Sequence, residues 1–223
     1  MKHLAAALLL AALWATPANA RTLCTLVAEA DTGRILLEQG DCQSRVTPAS
    51  TFKIPIALMG FDSGVLLSAD EPELPFRKGY ADWGGKNWTR PTNPRDWMRY
   101  SVVWYSQQIT KALGPDRFAR YTAAFGYGNA DVSGDPGRNN GLSRAWLSSS
   151  LAISPLEQVG FLRRLANRDL PVAPAAIERT LSIIETTVLD GGWSVLIYPE
   201  GELTDSPEEV LVAELVREAA LDG

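Results

Sequence analysis

The chain has 223 residues, of which 46% are hydrophobic and 21% charged, and this composition excludes a disordered or fibrous protein. One domain, or two interleaved subdomains, fits this length. The formal net charge of −5 argues against a nucleic-acid partner, because proteins that bind nucleic acid carry an excess of basic residues.

The first twenty residues have the pattern of a secretory signal. Lys2 and His3 precede an apolar run over 4–15, and Ala18-Asn19-Ala20 supplies the small residues of a cleavage site. The apolar run is too short to span a membrane. We therefore predict cleavage after Ala20, export to the periplasm or the medium, and no membrane anchor. The alternative is a buried N-terminal helix.

Removal of this segment has a chemical consequence, because His3 is the only histidine in the sequence. The predicted mature chain therefore has no imidazole. A Ser-His-Asp triad, a histidine-ligated zinc site and a histidine general base are excluded. We predict no metal, and any nucleophilic chemistry needs another base.

A β-hairpin is predicted near the start of the mature chain. Two short apolar runs, 25–30 and 34–39, flank the turn sequence Asp31-Thr32-Gly33. The two cysteines, Cys24 and Cys42, lie at the outer ends of these runs. We predict a disulfide between them, since an exported chain meets an oxidising environment. Two reduced, buried thiols are the alternative.

A buried helix is predicted after Pro48, ending near Gly60. In its first turn Ser50 and Lys53 are three residues apart, which places the hydroxyl and the amine on one face. A lysine can take the proton of a serine when burial lowers the pKa of its amine, and the neighbouring Phe52 suits such a pocket. The alternative is a serine cap beside a solvated lysine.

Further along the chain, loop and helix patterns alternate. Residues 62–97 are rich in Gly, Pro, Asp and Trp, which predicts a long loop at the rim of a site. A helix is predicted from Arg95 through Ile109. Ser101 lies in its middle, either as a site residue or as a serine packed in the core.

The segment after this helix contains a turn and a second helix start. Gly126-Tyr127-Gly128-Asn129 predicts a tight turn that holds a tyrosine and an asparagine in fixed positions. Ser154-Pro155-Leu156-Glu157 is a capping box that opens a helix through about Leu165. Trp146, between the two, is also compatible with an ordinary core residue.

The last thirty residues predict one strand and one helix. The strand covers 193–198, and Pro199-Glu200-Gly201 is a turn. The helix starts at the capping box of Ser206 and ends near Ala220.

Four of these segments, in this order and spacing, resemble the motifs of the class D, or oxacillinase-type, serine β-lactamases. They are Pro48-Ala49-Ser50-Thr51-Phe52-Lys53-Ile54-Pro55, Ser101-Val102-Val103, Tyr127-Gly128-Asn129 and Trp146-Leu147-Ser148-Ser149-Ser150-Leu151. The resemblance extends from about Cys24 to Trp193. Four ordered motifs are far more specific than any one of them.

The resemblance implies an α/β (α+β) fold of the β-lactamase/transpeptidase type. In that fold an antiparallel sheet is flanked by helices, a helical subdomain is inserted, and the site lies at their junction. We accordingly divide the chain into a signal peptide (1–20), a β-lactamase/transpeptidase-like domain (21–193) and an atypical C-terminal strand and helix (194–223).

The resemblance also implies hydrolysis of small-molecule β-lactams. Ser50 would be the acylated nucleophile, Lys53 the general base after carboxylation by carbon dioxide, and Ser101 the proton shuttle to the leaving nitrogen. No other cofactor is implied. The remaining predicted pocket residues surround these three: Phe52, Val103, Tyr127, Asn129 and Trp146, of which Trp146 would donate a hydrogen bond to the lysine carbamate.

The C-terminal part departs from the family pattern. A Lys-Thr/Ser-Gly strand that holds the substrate carboxylate and supplies an oxyanion donor should follow Gly191-Gly192-Trp193, but no lysine occurs after Lys111. We therefore expect weakened hydrolysis. The alternatives are a penicillin-binding module that is acylated without turnover, and an inactive truncated or fused β-lactamase.

Overall fold

The computed structural model describes residues 22–184 and three short segments at 186–188, 193–196 and 217–218. Seven α-helices and five β-strands lie in these ranges. The predicted signal peptide lies outside them, and the division of the chain into three parts stays a prediction. Within the described ranges, no helix combines the length and the apolar character that a membrane span requires.

The predicted hairpin is confirmed. Strand β1 (Cys24–Ala28) pairs antiparallel with β2 (Ile35–Gly40), with a bulge after Val27. The predicted disulfide closes its open end, where the Cα atoms of Cys24 and Cys42 are 5.1 Å apart.

The hairpin packs against the rest of the molecule through β1. Leu26 of this strand is buried, and β1 contacts the helix α6 (Pro155–Ala166). All six residues of β2 are exposed, including the apolar Ile35, Leu36 and Leu37. The hairpin therefore lies at the periphery, away from the main core.

The core is helical and centres on one helix. A 3-10 turn (Ala49–Phe52) leads into α1 (Lys53–Asp62), whose first nine residues are all buried. An apolar run without a polar stripe favours such a central position. Helix α1 packs against α3 (Val103–Leu113), α4 (Pro115–Ala124) and α7 (Pro174–Ile183).

The structure corrects the helix predicted from Arg95 through Ile109. The segment forms two helices, α2 (Pro94–Arg99) and α3, separated at Ser101. Ser101 has φ +55°, a left-handed conformation that cannot continue an α-helix. The apolar periodicity continues across the break, because both helices bury one side in the same core.

The helix predicted after Ser154 is confirmed together with its capping box. The N–H of Glu157 donates to Ser154 Oγ at 3.2 Å, and the N–H of Ser154 donates to Glu157 Oε2 at 2.9 Å. Two shorter helical elements lie in the loops, a 3-10 turn (Gly85–Asn87) and α5 (Gly141–Arg144).

A second antiparallel sheet contains β3 (Thr186–Val188), β4 (Trp193–Leu196) and β5 (Arg217–Glu218), in the order β3-β4-β5. Strand β4 confirms the start of the strand predicted over 193–198. The prediction of a helix that ends near Ala220 is wrong for Arg217 and Glu218, which form β5. Pairing with β4 satisfies backbone hydrogen-bonding groups there and overrides helix propensity. Its remaining residues, and the turn predicted at 199–201, lie outside the described residues.

Candidate active site

The turn that holds Ser50 is strained. Ala49, the preceding residue, has φ +45°, which is unfavourable for a residue with a side chain. Thr51 Oγ1 donates a hydrogen bond to the carbonyl of Pro48 at 2.6 Å and ties the turn together. Ser50 is half-buried, whereas the following Phe52 is fully buried. Such strain is typical of functional sites, since the surrounding structure must hold it in place.

Three predicted catalytic residues meet in one triangle. Lys53 Nζ lies 2.9 Å from Ser50 Oγ and 2.8 Å from Ser101 Oγ. The two hydroxyl oxygens are 2.9 Å apart. Each polar atom is therefore within hydrogen-bond distance of the other two, and a proton can pass between any pair without a further group.

Lys53 is buried to the full length of its side chain. It is the first residue of α1, and the first turn of this helix points its amine back towards Ser50. Removal from water penalises an ammonium ion more than a neutral amine. The position therefore suits a lysine that reacts in its neutral form.

Phe52, which precedes Lys53 in the chain, lies in a cluster of aromatic rings. The Phe52 ring lies 5.9 Å from that of Trp146, 5.0 Å from that of Tyr127 and 6.0 Å from that of Phe118. All four side chains are buried, as is Val103 at the start of α3. Phe52, Tyr127 and Trp146 thus belong to one buried apolar cluster, called here the apolar surround, which includes the residue that precedes Lys53. The pocket that these residues are expected to form with Val103 stays a prediction.

Trp146 contributes a polar group to this apolar surround. Among the described residues its indole Nε1 is buried and has no hydrogen-bond partner. A buried donor without an acceptor costs about 1–3 kcal/mol. An acceptor atom added to the pocket would remove this cost.

The turn with Tyr127 adopts the predicted tight conformation. Gly126 has φ +60° and Gly128 φ +55°, and a Cβ atom at Gly128 would lie 2.0 Å from the carbonyl oxygen of Ala152. The Tyr127 hydroxyl donates to Gln158 Oε1 at 2.7 Å. Burial raises the pKa of Tyr127, so the phenol stays neutral and acts as a hydrogen-bond donor.

Asn129 has a different environment from the other predicted pocket residues. Its side chain is exposed, and it bonds to the segment that follows Trp146. Oδ1 accepts from the N–H of Ala152 at 3.0 Å, and Nδ2 donates to the carbonyl of Ser150 at 2.8 Å. Asn129 therefore clamps a supporting segment and does not join the triangle of Ser50, Lys53 and Ser101.

Two supporting residues have no signal in the sequence. Thr47 Oγ1 donates to the carbonyl of Trp146 at 3.0 Å and accepts from the N–H of Ser148 at 3.0 Å. Gln158 positions the hydroxyl of Tyr127. Both contacts join distant parts of the chain, so no local spacing indicates them.

The sequence of this chain is similar to those of known proteins. Residues 23–198 match the family described as the penicillin binding protein transpeptidase domain. The chain is 46% identical over 172 residues to Beta-lactamase OXA-9 of Klebsiella pneumoniae, covering 77% of this chain and 63% of that protein. It is 41% identical over 169 residues to Beta-lactamase OXA-1 of Escherichia coli, covering 75% and 60%. The chain thus spans about three fifths of the length of these relatives.

The fold of this chain is also similar to those of solved structures. The crystal structure of OXA-427 class D beta-lactamase superposes with a TM-score of 0.74 at 48% identity, over 78% of this chain and 71% of that one. A class D beta-lactamase from Bacillus subtilis superposes with a TM-score of 0.67 at 25% identity, over 77% and 68%. The predicted α/β fold of helices packed against antiparallel sheet is confirmed.

Proposed function

The chain belongs to the class D β-lactamase family, and we propose that it hydrolyses β-lactams through an acyl-enzyme on Ser50. The observation that carries this proposal is the triangle of Ser50, Lys53 and Ser101, with polar atoms 2.8 to 2.9 Å apart. Acyl transfer needs a nucleophile and a base within hydrogen-bond reach, and these distances meet that requirement.

The base is Lys53 after carboxylation. Its neutral amine attacks the carbon of carbon dioxide, an N–C bond forms as one C–O π bond breaks, and one amine proton passes to solvent, so that a carbamate results. Two observations support the fit of this group. Lys53 is fully buried, which favours the neutral amine. Trp146 Nε1, which has no hydrogen-bond partner among the described residues, offers a donor to a carbamate oxygen.

Two acyl-transfer steps follow. In the first, the carbamate takes the proton of Ser50, Oγ attacks the lactam carbonyl, and the C–N bond breaks. Ser101 donates its proton to the leaving nitrogen and regains one from the protonated carbamate, which is thereby ready to act as a base again. In the second, the carbamate takes a proton from water, whose oxygen attacks the ester carbon, and Ser50 regains its proton as it leaves. The backbone N–H of Ser50 supplies one oxyanion donor.

The altered C-terminal sequence favours a second candidate function. The residues after Trp193 lack the Lys-Thr/Ser-Gly motif, whose backbone supplies a second oxyanion donor in the family. Loss of one such donor slows acyl transfer by about a hundredfold to a thousandfold. We therefore expect weakened hydrolysis, and in the extreme a module that is acylated and turns over too slowly to act as an enzyme.

The first experiment measures hydrolysis of a chromogenic cephalosporin with and without bicarbonate, beside Ser50→Ala. We expect turnover that increases with bicarbonate and disappears in the variant. Covalent labelling of Ser50 without turnover would support the acylation-only module. A folded sample that shows no turnover and no covalent labelling of Ser50 would contradict both functions.

Carboxylation has its own test in Trp146→Phe, which keeps the ring packing and removes the N–H donor. We expect this variant to need a higher bicarbonate concentration for half-maximal activity. Trp104→Phe is the matched control, because Trp104 Nε1 donates to the carbonyl of Trp88 at 2.7 Å. A 13C signal from labelled carbon dioxide on Lys53, absent in Lys53→Ala, would detect the carbamate directly.

We also propose that the chain meets its small-molecule substrate after export. The support is the pattern of residues 1–20, with its apolar run and Ala-Asn-Ala site. N-terminal sequencing of protein recovered from the periplasm tests this proposal, with Arg21 expected as the first residue. Retention of the full N-terminus in the cytoplasm would contradict it.

A further inference from the structure

One threonine joins the turn of the nucleophile to the segment that contains Trp146. Thr47 Oγ1 donates to the carbonyl of Trp146 at 3.0 Å and accepts from the N–H of Ser148 at 3.0 Å. These partners lie 99 and 101 residues further along the chain. Backbone bonds between Val46 and Ile153, at 3.0 and 2.9 Å, continue the same contact. The half-buried hydroxyl of Thr47 thus fixes two distant segments against each other.

Each of these segments contains a strained residue beside the contact. Ala49 has φ +45° and Ser148 has φ +50°, a left-handed conformation that is unfavourable for residues with a side chain. Ser148 donates its N–H to Thr47, and Ala49 lies two positions after Thr47. Strain of this kind persists only where surrounding contacts hold it in place. The Thr47 hydroxyl is one such contact, because it ties the two strained positions to one another.

Trp146 is held at two points by the turn of the nucleophile. Its carbonyl accepts from Thr47, and its ring packs against that of Phe52, with 5.9 Å between the centroids. Phe52 directly precedes Lys53, whose Nζ lies 2.9 Å from Ser50 Oγ. The backbone and the ring of Trp146 are therefore both fixed relative to the segment that carries the lysine.

We propose that Thr47 is a positioning residue that sets how readily Lys53 is carboxylated, because it aligns the indole of Trp146 with the lysine. Within the described ranges Trp146 Nε1 has no hydrogen-bond partner, and the carbamate would supply a charged acceptor. The strength of such a bond depends steeply on its geometry. Reversal of carboxylation breaks the N–C bond, returns a proton to the amine and releases carbon dioxide, and a misaligned donor opposes it less.

This inference rests on the proposed function, because the carbamate is the base proposed there. It adds a residue that lies outside the reacting groups and acts on them only through Trp146. The expected consequence is a change in the affinity for carbon dioxide, which differs from a general loss of stability.

The test measures carbamate formation in the Ser50→Ala background, where no acyl-enzyme forms. A 13C signal from labelled bicarbonate, recorded at constant pH, gives the concentration that half-saturates Lys53. Thr47→Val keeps the shape of the side chain and removes both hydrogen bonds, and we expect it to raise this concentration about threefold to tenfold. Thr47→Ser keeps the hydroxyl and should saturate as the parent does.

Thr92→Val is the matched control. Thr92 is buried, and its Oγ1 donates to the carbonyl of Arg90 at 3.1 Å. The substitution therefore also removes a threonine hydrogen bond to the backbone, but one within a single loop, and it should leave the half-saturating concentration unchanged. A melting curve checks that each variant is folded, and Thr47→Ala is measured in the same way if Thr47→Val does not fold.

The outcomes separate this inference from the proposed function. Equal saturation of the parent and Thr47→Val, the same shift in Thr92→Val, or a shift that Thr47→Ser does not rescue would overturn the inference alone. Absence of the carbamate from the parent chain would overturn both the inference and the proposed base. The expected shift without turnover in the wild-type chain would support the inference and contradict hydrolysis.

Discussion

The helical region around α1 and the β1–β2 hairpin are stabilised by different means. Helix α1 is buried from Lys53 to Phe61 and packs against three other helices. Strand β2 is exposed along its whole length, and a disulfide closes the hairpin. The helical region gains stability from apolar burial, whereas the disulfide acts mainly by restricting the unfolded chain.

The comparison explains where the chemistry lies. Three polar atoms can be held 2.8 to 2.9 Å apart only where dense packing fixes their side chains, and the helical region supplies that packing. The hairpin supplies no reacting group. The segment that follows it is joined to the helical region by backbone bonds between Val46 and Ile153, at 3.0 and 2.9 Å, and by the ion pair of Arg45 and Glu157.

The largest effect is expected from Phe52→Ala, at the centre of the aromatic surround. Phe52 is fully buried and contacts three other rings, so its truncation leaves a cavity. We expect the free energy of unfolding in urea to fall by about 3–5 kcal/mol. Phe76→Ala, at a partly buried site, should cost less. Equal losses would contradict the assignment of Phe52 to the core.

The second largest effect on stability is expected from removal of the disulfide. Replacing Cys24 and Cys42 by serine opens a link between residues 18 apart, and we expect a loss of about 3 kcal/mol in the free energy of unfolding. Activity per folded molecule should stay unchanged, because the hairpin holds no reacting group. Active-site titration beside a melting curve separates the two quantities. Lost activity in a folded sample would show that the hairpin supports the site.

The ion pair of Arg45 and Glu157 predicts that the stability of the fold depends on pH. Hydrogen bonds from Arg45 lower the pKa of Glu157 from 4.5 to about 2, with further help from Ser154 and against the effect of burial. Because the folded state has the lower pKa, this stabilisation is present above about pH 4.5 and is lost as pH falls towards 2.

Melting temperatures between pH 5 and pH 2 check this expectation. The wild-type chain should lose more stability across that range than Glu157→Gln, which has no carboxylate to protonate. Asp70→Asn is a suitable control, since Asp70 also faces an arginine, Arg95, but at the surface and at 3.3 Å. Parallel curves for wild type and Glu157→Gln would contradict the prediction.

The smallest effect is expected from a matched pair of isoleucines. Ile54 in α1 is 1% exposed and Ile35 in β2 is 46% exposed. Ile54→Val should cost about 0.5–1.5 kcal/mol, whereas Ile35→Val should change stability by less than about 0.5 kcal/mol. Denaturant titration of both variants compares the loss in the free energy of unfolding at the two sites. A similar loss at Ile35 would indicate that β2 is covered in solution.

Sequence patterns predicted much of the local structure and part of the site. The hairpin, the disulfide and the capping box of Ser154 were all confirmed. Ser50 and Lys53 could be paired because three residues are nearly one helical turn, so their proximity follows from local geometry. Family motifs also pointed to Ser101, but periodicity placed it inside a helix and gave no hint of its left-handed backbone.

The amino-acid sequence by itself determined the elements whose partners lie a few residues apart: the hairpin turn, the helix start at Ser154 and the pairing of Ser50 with Lys53. Tertiary structure alone decided the helix break at Ser101, the strand at Arg217–Glu218 and the exposed position of Asn129. The physical reason is the same in each case. These features depend on contacts between segments far apart in the chain, and such contacts override local propensity.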